Sequence, residues 1–517
     1  MSGRTSRRSA LDAVISYLSP ATGLKRIQAK AALDAFRMRE SSSLGYTGAK
    51  TRHGLTHSLS VGDDTDYSLS ELRNHSKSLI TYTSIGAGAV YINASNTIGT
   101  GLKMQPSILE EIVPLSKKRI EDLQVQIKQR WKLWAESTDC DYYGQLSFHQ
   151  LQFLAYLSKL ASGDVLVTLP LSHGDRTVNQ LKVRLIEADR IRNQLHQSND
   201  ERHINGVRLD ASGRPTGVYV HPSELSLDQE ATYVPFIGAK SKRCNAFLAY
   251  TPRRPGEYRG KPFLSPVTET IKKLDRYFES EITASEVNSL FGLFIKTPTG
   301  EASSILGKTP ITRNREEPAA EQPDYSLEPG VVLQGRPGEE VTSFDPARPN
   351  TAFGDFIKSS LVLIGMGLQI PYEILIQFFS SSYSASKAAQ NEYWKTVRRD
   401  RADFAHVCQM IYEEWLAEEV LQGHIDCPGF FDDLSLRRAY AHASWVGIAP
   451  GQINPAVEVR AAVERVNAKL SSRKKEAAAL GFDLDEVLDD LHDEAEEIKR
   501  RGLQDEIPVP KREEEHS

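Results

Sequence analysis

Cysteine is scarce in this chain. The four cysteines, Cys140, Cys244, Cys408 and Cys427, stand far apart with no CxxC pair. That excludes a Cys-rich zinc module or a disulfide framework and fits a reducing compartment. Long apolar runs are also missing. Leu11–Leu18 is too short for the core of a signal peptide and is interrupted by Asp12 and Ser16. Leu361–Phe379 is mostly apolar, and Glu373 is the only charge between Lys358 and Lys387. A membrane-spanning helix needs about 20 predominantly apolar residues, and Gly365, Gly367, Gln369 and Pro371 break this run in its middle. A buried or oligomer-facing helix is expected there. Nor is there an excess of positive charge: the net charge of −5 over 517 residues argues against a protein that coats nucleic acid.

The charge that is present is unevenly placed. Residues 1–53 hold ten Lys/Arg against three Asp/Glu, whereas Asp483–Glu497 holds nine acids and no Lys or Arg. The first sixty residues, basic and Ser/Gly-rich, read as a partly disordered arm, with one amphipathic piece around Leu24–Met38. One helix is expected over Ser68–Ile98. In Leu115–Glu136, Ile120, Leu123, Ile127, Trp131 and Trp134 recur at steps of three and four and line one face. Ser147–Ser162 predicts another helix, with Phe148, Leu151, Leu154 and Leu157 or Tyr156 inward and Gly163 as its stop. Strands are expected at Val165–Leu169, Leu181–Ile186, Val207–Leu209 and Gly217–Val220, with Asp210–Arg214 turning the last pair into a hairpin. Ser265-Pro266 opens a long helix to about Leu293, roughly 40 Å, with Val267, Ile271, Leu274, Phe278 and Ile282 along its apolar edge. Residues 296–349, rich in Pro, Gly and charge, read as a small irregular β-rich insertion. Helix returns over Phe353–Gly367.

Next comes a serine-rich loop with Ser380, Ser381 and Ser382, and then a helix over about Ala385–Gln422 with Tyr393, Val397, Phe404, Val407, Ile411 and Trp415 on one face. A loop between two helices suits a moving contact surface better than a fixed catalytic pocket. The tail reads as a Trp-Gly loop around Trp445, two charged helices over Pro455–Leu470 and Asp483–Arg500, and a disordered end.

No catalytic constellation emerges. Gly300 to Thr309 resembles a P-loop, but six residues separate Gly300 from Gly307 where four are required, and Pro310 follows directly. A polar loop is the plainer reading. Ser384-Ala-Ser-Lys387 matches SxxK formally, without the companion Ser-Asp-Asn, and reads as a serine-rich helix start. His53 and His57 have zinc-like spacing with no third ligand nearby. The acidic run at Asp483–Glu497 is interrupted by Leu484, Val487, Leu488 and Leu491 and reads as a solvated helix face. Lys387, Lys395, Arg398, Arg399 and Arg401 cluster at the start of the long helix, where such side chains track phosphates without reading sequence. No metal or cofactor site is expected.

The order of short motifs resembles the lambda-type family of bacteriophage portal proteins over about residues 65–500. The matching pieces are Trp131–Ala135, Ala161–Val167, Leu185–Arg190, Asn205–Asp210, Tyr258–Gly260, Leu327–Gly330, Pro337–Glu339 and Pro346–Pro349. The best match is Ile364–Ile374 followed by Ser382–Lys387. The chain departs from its relatives at Gln369-Ile370, where they carry small residues, and in having Phe378-Phe379 in the loop. The resemblance implies a non-enzymatic α+β, mainly α subunit of a ring, usually dodecameric, at one capsid vertex, through which double-stranded DNA is packaged and ejected.

Mapped by order, residues 1–64 form an arm, 65–262 a wing, 263–293 and 349–375 stem helices, and 294–348 a clip. Residues 376–384 form a tunnel loop, 385–451 a long helix with the rest of the wing, 452–503 a crown and 504–517 a tail. Gln377, Phe378, Ser380, Ser381, Ser382, Tyr383 and Lys387 would face the DNA channel, and Lys395, Arg398 and Arg399 would touch phosphates. The implied partners are the terminase large subunit, the major capsid or scaffold protein and a head–tail adaptor, with no membrane. The implied location is the virion, and the host cytoplasm during assembly. The competing readings are a packaging-associated nucleotide hydrolase using Lys308 and a membrane-associated pore using Leu361–Phe379.

Overall fold

The computed structural model describes residues 69–172, 177–194, 199–223, 230–290, 353–379, 382–450, 455–482 and 484–501. The first helix expected from the sequence is two: α1 (Leu69–Tyr82) and α2 (Ser84–Thr97). Thr83 breaks them in an extended conformation, its hydroxyl donating to the Leu79 carbonyl and accepting from Gly86 N–H as an N-cap. Gly86 permits the close approach, since a Cβ there would meet the Leu79 carbonyl at 2.6 Å.

Helix α3 (Lys117–Ala135) buries the five residues its periodicity singles out. Helix α4 (Phe148–Ser162) opens with a Ser147/Gln150 capping box, but its inner face differs from expectation. Leu154 is 41% exposed, while Gln152, Ala155, Tyr156 and Lys159 are buried. The buried row is set by Tyr156, whose hydroxyl donates to Asn93 of α2 at 2.8 Å.

Three small antiparallel sheets follow. Strand β1 (Lys103–Pro106) pairs with β9 (Ala443–Val446). Strands β2 (Asp164–Thr168), β3 (Arg184–Glu187) and β8 (Ala246–Tyr250) form a sheet in the order β3-β2-β8. Strands β4 (His203–Ile204), β5 (Val207–Leu209), β6 (Pro215–Val220) and β7 (Thr232–Pro235) form a meander. The turn at Asp210–Arg214 is as expected: the Asp210 carboxylate accepts from the N–H groups of Ser212 and Arg214, and Gly213 has φ +77°. Leu166, Ile186, Ile191, Val207, Leu209, Val218, Val220 and Ala246 form one buried cluster between the second and third sheets. Strand β8 was not legible in the sequence, and Leu181–Ile186 yields a strand only from Arg184, after the isolated bridge of Leu171 to Leu181.

The chain divides into two compact units, one of Met1–Ser265 with Phe379–Ser517 and one of Pro266–Phe378. The second unit contains α5 (Thr268–Leu290), α6 (Phe353–Leu368) and the single turn α7 (Tyr372–Leu375). Helix α5 starts at Thr268, three residues after Ser265, whose hydroxyl donates to the Pro262 carbonyl at 2.6 Å. Tyr277 stacks on Phe353 at 5.7 Å, and Val267 lies where a Cβ on Gly367 would meet it at 2.6 Å, so α5 and α6 run antiparallel. Val267, Ile271 and Leu274 are buried, but Ile282 is exposed, so the expected edge is covered over its first half only. The expected insertion at 296–349 and the P-loop-like stretch at Gly300–Thr309 lie outside the described residues, as do His53 and His57.

In the first unit, α8 (Tyr383–Leu421) has 39 residues and spans about 58 Å. Its six predicted inward residues are all buried, and Gly423 follows in the left-handed region. Trp131 sits within 6.0 Å of the rings of Trp134, Phe148, Tyr412, Trp415 and Trp445, tying α3, α4, α8 and β9 together. The tail holds α9 (Leu434–Tyr440), α10 (Pro455–Asn467), α11 (Arg473–Ala479) and α12 (Leu484–Arg501). Helix α11 was not expected.

Candidate functional site

Helix α6 does not stop at its glycines. It runs through Gly365 and Gly367 and ends at Leu368, where Gln369 turns left-handed with φ +58°. Ile370 N–H donates to the Gly365 carbonyl at 2.9 Å and Gln369 N–H to the Met366 carbonyl at 3.3 Å. This is a Schellman closure with glutamine in the place glycine usually takes, and Pro371 follows it. Gly365 is required because a Cβ would lie 2.4 Å from the Ile370 carbonyl. The same closure recurs one turn later: Gln377 has φ +53°, and Phe378 N–H donates to the Glu373 carbonyl at 3.1 Å. The chain therefore reverses twice between Leu368 and Phe378.

Beyond the second reversal the side chains face solvent. Gln377 is exposed, Phe378 is 64% exposed, and Phe379 and Ser382 are exposed as well. Ser380, Ser381 and the side chain of Tyr383 lie outside what is described. Ser382 precedes α8 in an extended conformation without a side-chain cap, and its carbonyl accepts from Ser386 N–H.

The cations of α8 are not equivalent. Lys387 Nζ pairs with Glu458 of α10 at 2.7 Å, which engages the lysine of the formal SxxK. Lys395 pairs with Glu392, one turn earlier on the same helix, and Arg399 with its neighbour Asp400 at 2.9 Å. The Lys395–Glu392 pair is exposed on both sides, and pairs of that kind are worth roughly 0.2–1 kcal/mol. Arg398 is exposed and has no carboxylate partner among the described residues. Arg401 points the other way. It donates to the Asn96 and Thr97 carbonyls at 3.0 Å and lies over the Trp394 ring at 5.4 Å. It closes the C-terminus of α2, and burial lowers its pKa.

The second half of α8 reverses the sign. Glu414, Glu418 and Glu419 are buried. Glu414 holds Arg243 at 3.2 Å and Arg437 at 2.9 Å. Glu418 accepts from the backbone N–H groups of Gln180 and Leu181, and Glu419 takes Asn179 at 2.7 Å together with Arg130. The helix is thus anchored by its acidic end and, nearer its start, presents Lys395, Arg398 and Arg399 to solvent.

A profile of the lambda family of phage portal proteins matches residues 48–401. The chain belongs to that family. The portal protein of Escherichia phage N15 is 23% identical over 451 residues, covering 82% of this chain and 84% of that protein. Portal protein B of Escherichia phage lambda is 22% identical over the same length, covering 82% and 83%. A chain from the virion of a native gene transfer agent particle aligns over 80% of this chain and 93% of its own, at 14% identity and a TM-score of 0.39.

The match takes in α6, both chain reversals and the cationic start of α8. Sequence reasoning missed a fully buried charge of this portal chain. Asp164 accepts from Arg259 at 2.7 and 3.0 Å, from Arg73 at 3.0 Å and from Gly260 N–H at 3.0 Å. Burial opposes the ionised carboxylate, but the two guanidiniums outweigh it and its pKa is lowered. Burial takes Arg73 down to about 10. Arg259 also donates to the carbonyls of Ala188, Ile191 and Asn205. Asp164 lies in a stretch quoted above as a family motif, and so does Arg259, yet their pairing across 95 residues leaves no local signal.

Proposed function

We propose that the chain is the portal subunit of a tailed-phage or related particle, assembling as a ring of about twelve copies at one capsid vertex and conducting double-stranded DNA without chemistry of its own. Membership of the portal family over residues 48–401 carries this reading. The separation of Pro266–Phe378 as its own compact unit supports stem helices at α5 and α6 flanking a clip at 294–348. Residues 65–262 and 385–451 make the wing, and 452–503 make the crown. Residues 376–384 form the tunnel loop, with Gln377, Phe378, Ser380, Ser381, Ser382 and Tyr383 toward the channel and Lys387 at its foot, engaged by Glu458. Lys395, Arg398 and Arg399 meet passing phosphates. A conduit needs contacts that are weak and exchangeable, which fits exposed cations on one helix, two of them paired only to carboxylates on that same helix.

The terminase large subunit and, later, a head–tail adaptor dock on the clip, and the capsid or scaffold protein contacts the wing. Assembly takes place in the host cytoplasm before the ring enters the virion. Among the described residues no helix is long and apolar enough to cross a membrane, and no cluster of His, Cys, Asp or Glu could hold a metal ion. Electron microscopy of the purified full-length protein tests the proposal: a turbine-shaped ring with a central hole is expected. ATP hydrolysis that disappears in Lys308→Ala would overturn it in favour of an enzyme.

A further inference from the structure

The helices after residue 454 are unusual in what they leave uncovered. Not one described residue of α10, α11 or α12 is buried. Val459 and Val463, one turn apart on α10, are each 52% exposed, and Leu488 and Leu491 on α12 are 49% and 54% exposed. Apolar stripes at helical spacing normally mark a covered face. The stripe on α12 is bordered by acid alone, whereas α10 carries Arg460 and Arg465 against Glu458 and Glu464, and the basic excess beside its stripe comes from Lys469 and α11. Residues 455–482 carry six Lys/Arg against three Asp/Glu, and residues 484–497 carry eight Asp/Glu with no Lys or Arg.

Some of these charges are satisfied within the chain: Glu458 by Lys387, Glu476 by Arg465 at 2.7 Å, and Glu497 by Arg500 and Arg501. The remainder are complementary. Arg460, Lys469, Arg473 and Lys475 have no acidic partner among the described residues, and Asp489, Asp490 and Asp493 have no basic one. One chain thus holds two surfaces of opposite charge balance whose apolar residues Val459, Val463, Leu488 and Leu491 stay exposed, although α11 and α12 adjoin each other.

We infer that the acidic apolar face of α12 in one copy packs on the basic apolar face of α10 and α11 in the next copy. Two different patches on one chain make a heterologous, head-to-tail contact, which closes a ring when the rotation fits. The occupant is a second copy of this chain because both halves of the contact, apolar stripe and counter-charge, are already encoded in it. This rests on the ring reading above and specifies which face each neighbour uses.

Two full-length variants test it, Val463→Cys and Leu491→Cys, both at exposed positions. Each is purified alone and then mixed under mild oxidation, with wild type as the background for the native cysteines. A disulfide-linked dimer of twice 57.7 kDa should form in the mixture and not in either variant alone. Equal cross-linking of Leu491→Cys with itself would overturn the head-to-tail arrangement. Separately, Asp489→Lys/Asp490→Lys/Asp493→Lys should raise the concentration needed for assembly by roughly tenfold, with Arg473→Glu/Lys475→Glu restoring it. Rings by microscopy with no cross-link in the mixture overturn this contact and leave the ring reading standing. A cross-link without rings supports the contact and counts against the ring.

Discussion

Gln369 and Gly365 show how a single backbone position decides where α6 ends. A non-glycine residue at φ +58° carries a penalty of roughly 1–2 kcal/mol. Gln369→Gly is therefore expected to raise stability by about 0.5–1 kcal/mol, read as a shift in the denaturant midpoint. Gly365→Ala should act the opposite way, because the new Cβ meets backbone and not a flexible side chain. A neutral Gly365→Ala would show that the helix end is not held as described. At Asp164 the test is pH. Its folded pKa is depressed by Arg259 and Arg73 against the cost of burial. Its contribution is thus complete above the unfolded value, near 3.9, and is lost as pH falls through the lower folded value. Asp164→Asn should cost about 3–5 kcal/mol at neutral pH, since it strands two buried guanidiniums. It should also flatten the acid limb of the stability profile, measured by urea unfolding between pH 2 and 5.

At the scale of elements, α8 is the organising piece. Its apolar face was legible because Tyr393 through Trp415 keep helical spacing over many turns, and periodicity of that length survives any tertiary context. Its basic start was legible too, but the different roles of the cations within it were not. Arg401 and Arg398 are both arginines in one basic cluster, yet Arg401 closes α2 while Arg398 faces solvent. Trp131→Ala should destabilise the first unit by about 3–5 kcal/mol, because five rings lose their shared neighbour. Near-UV circular dichroism, which reports the packed indoles, should lose intensity with it, and an unchanged spectrum would place Trp131 outside the cluster.

For the whole molecule, the proposed conduit separates assembly from passage. Shortening Phe378–Ser382 should leave rings intact, since the described side chains of that stretch are exposed, and should impair DNA packaging or retention. Loss of rings instead would mean that these residues belong to an interface. Replacing Lys395, Arg398 and Arg399 together by alanine should weaken duplex retention at low salt and matter little at high salt, where screening already removes such contacts.

The sequence determined the family, the order of the long helices, the hairpin at Asp210–Arg214 and the buried faces of α3 and α8. These depend on periodicity, turn chemistry and short motifs, which are local. Tertiary structure alone decided the break at Thr83, the inner face of α4 and the short strands β1, β8 and β9, whose partners lie far along the chain. It also decided which cations are engaged, as Arg401 is by α2 and Lys387 by Glu458. A helix can be read from its own residues, but a buried carboxylate such as Asp164 is defined by arginines 91 and 95 positions away, and only the fold brings them together.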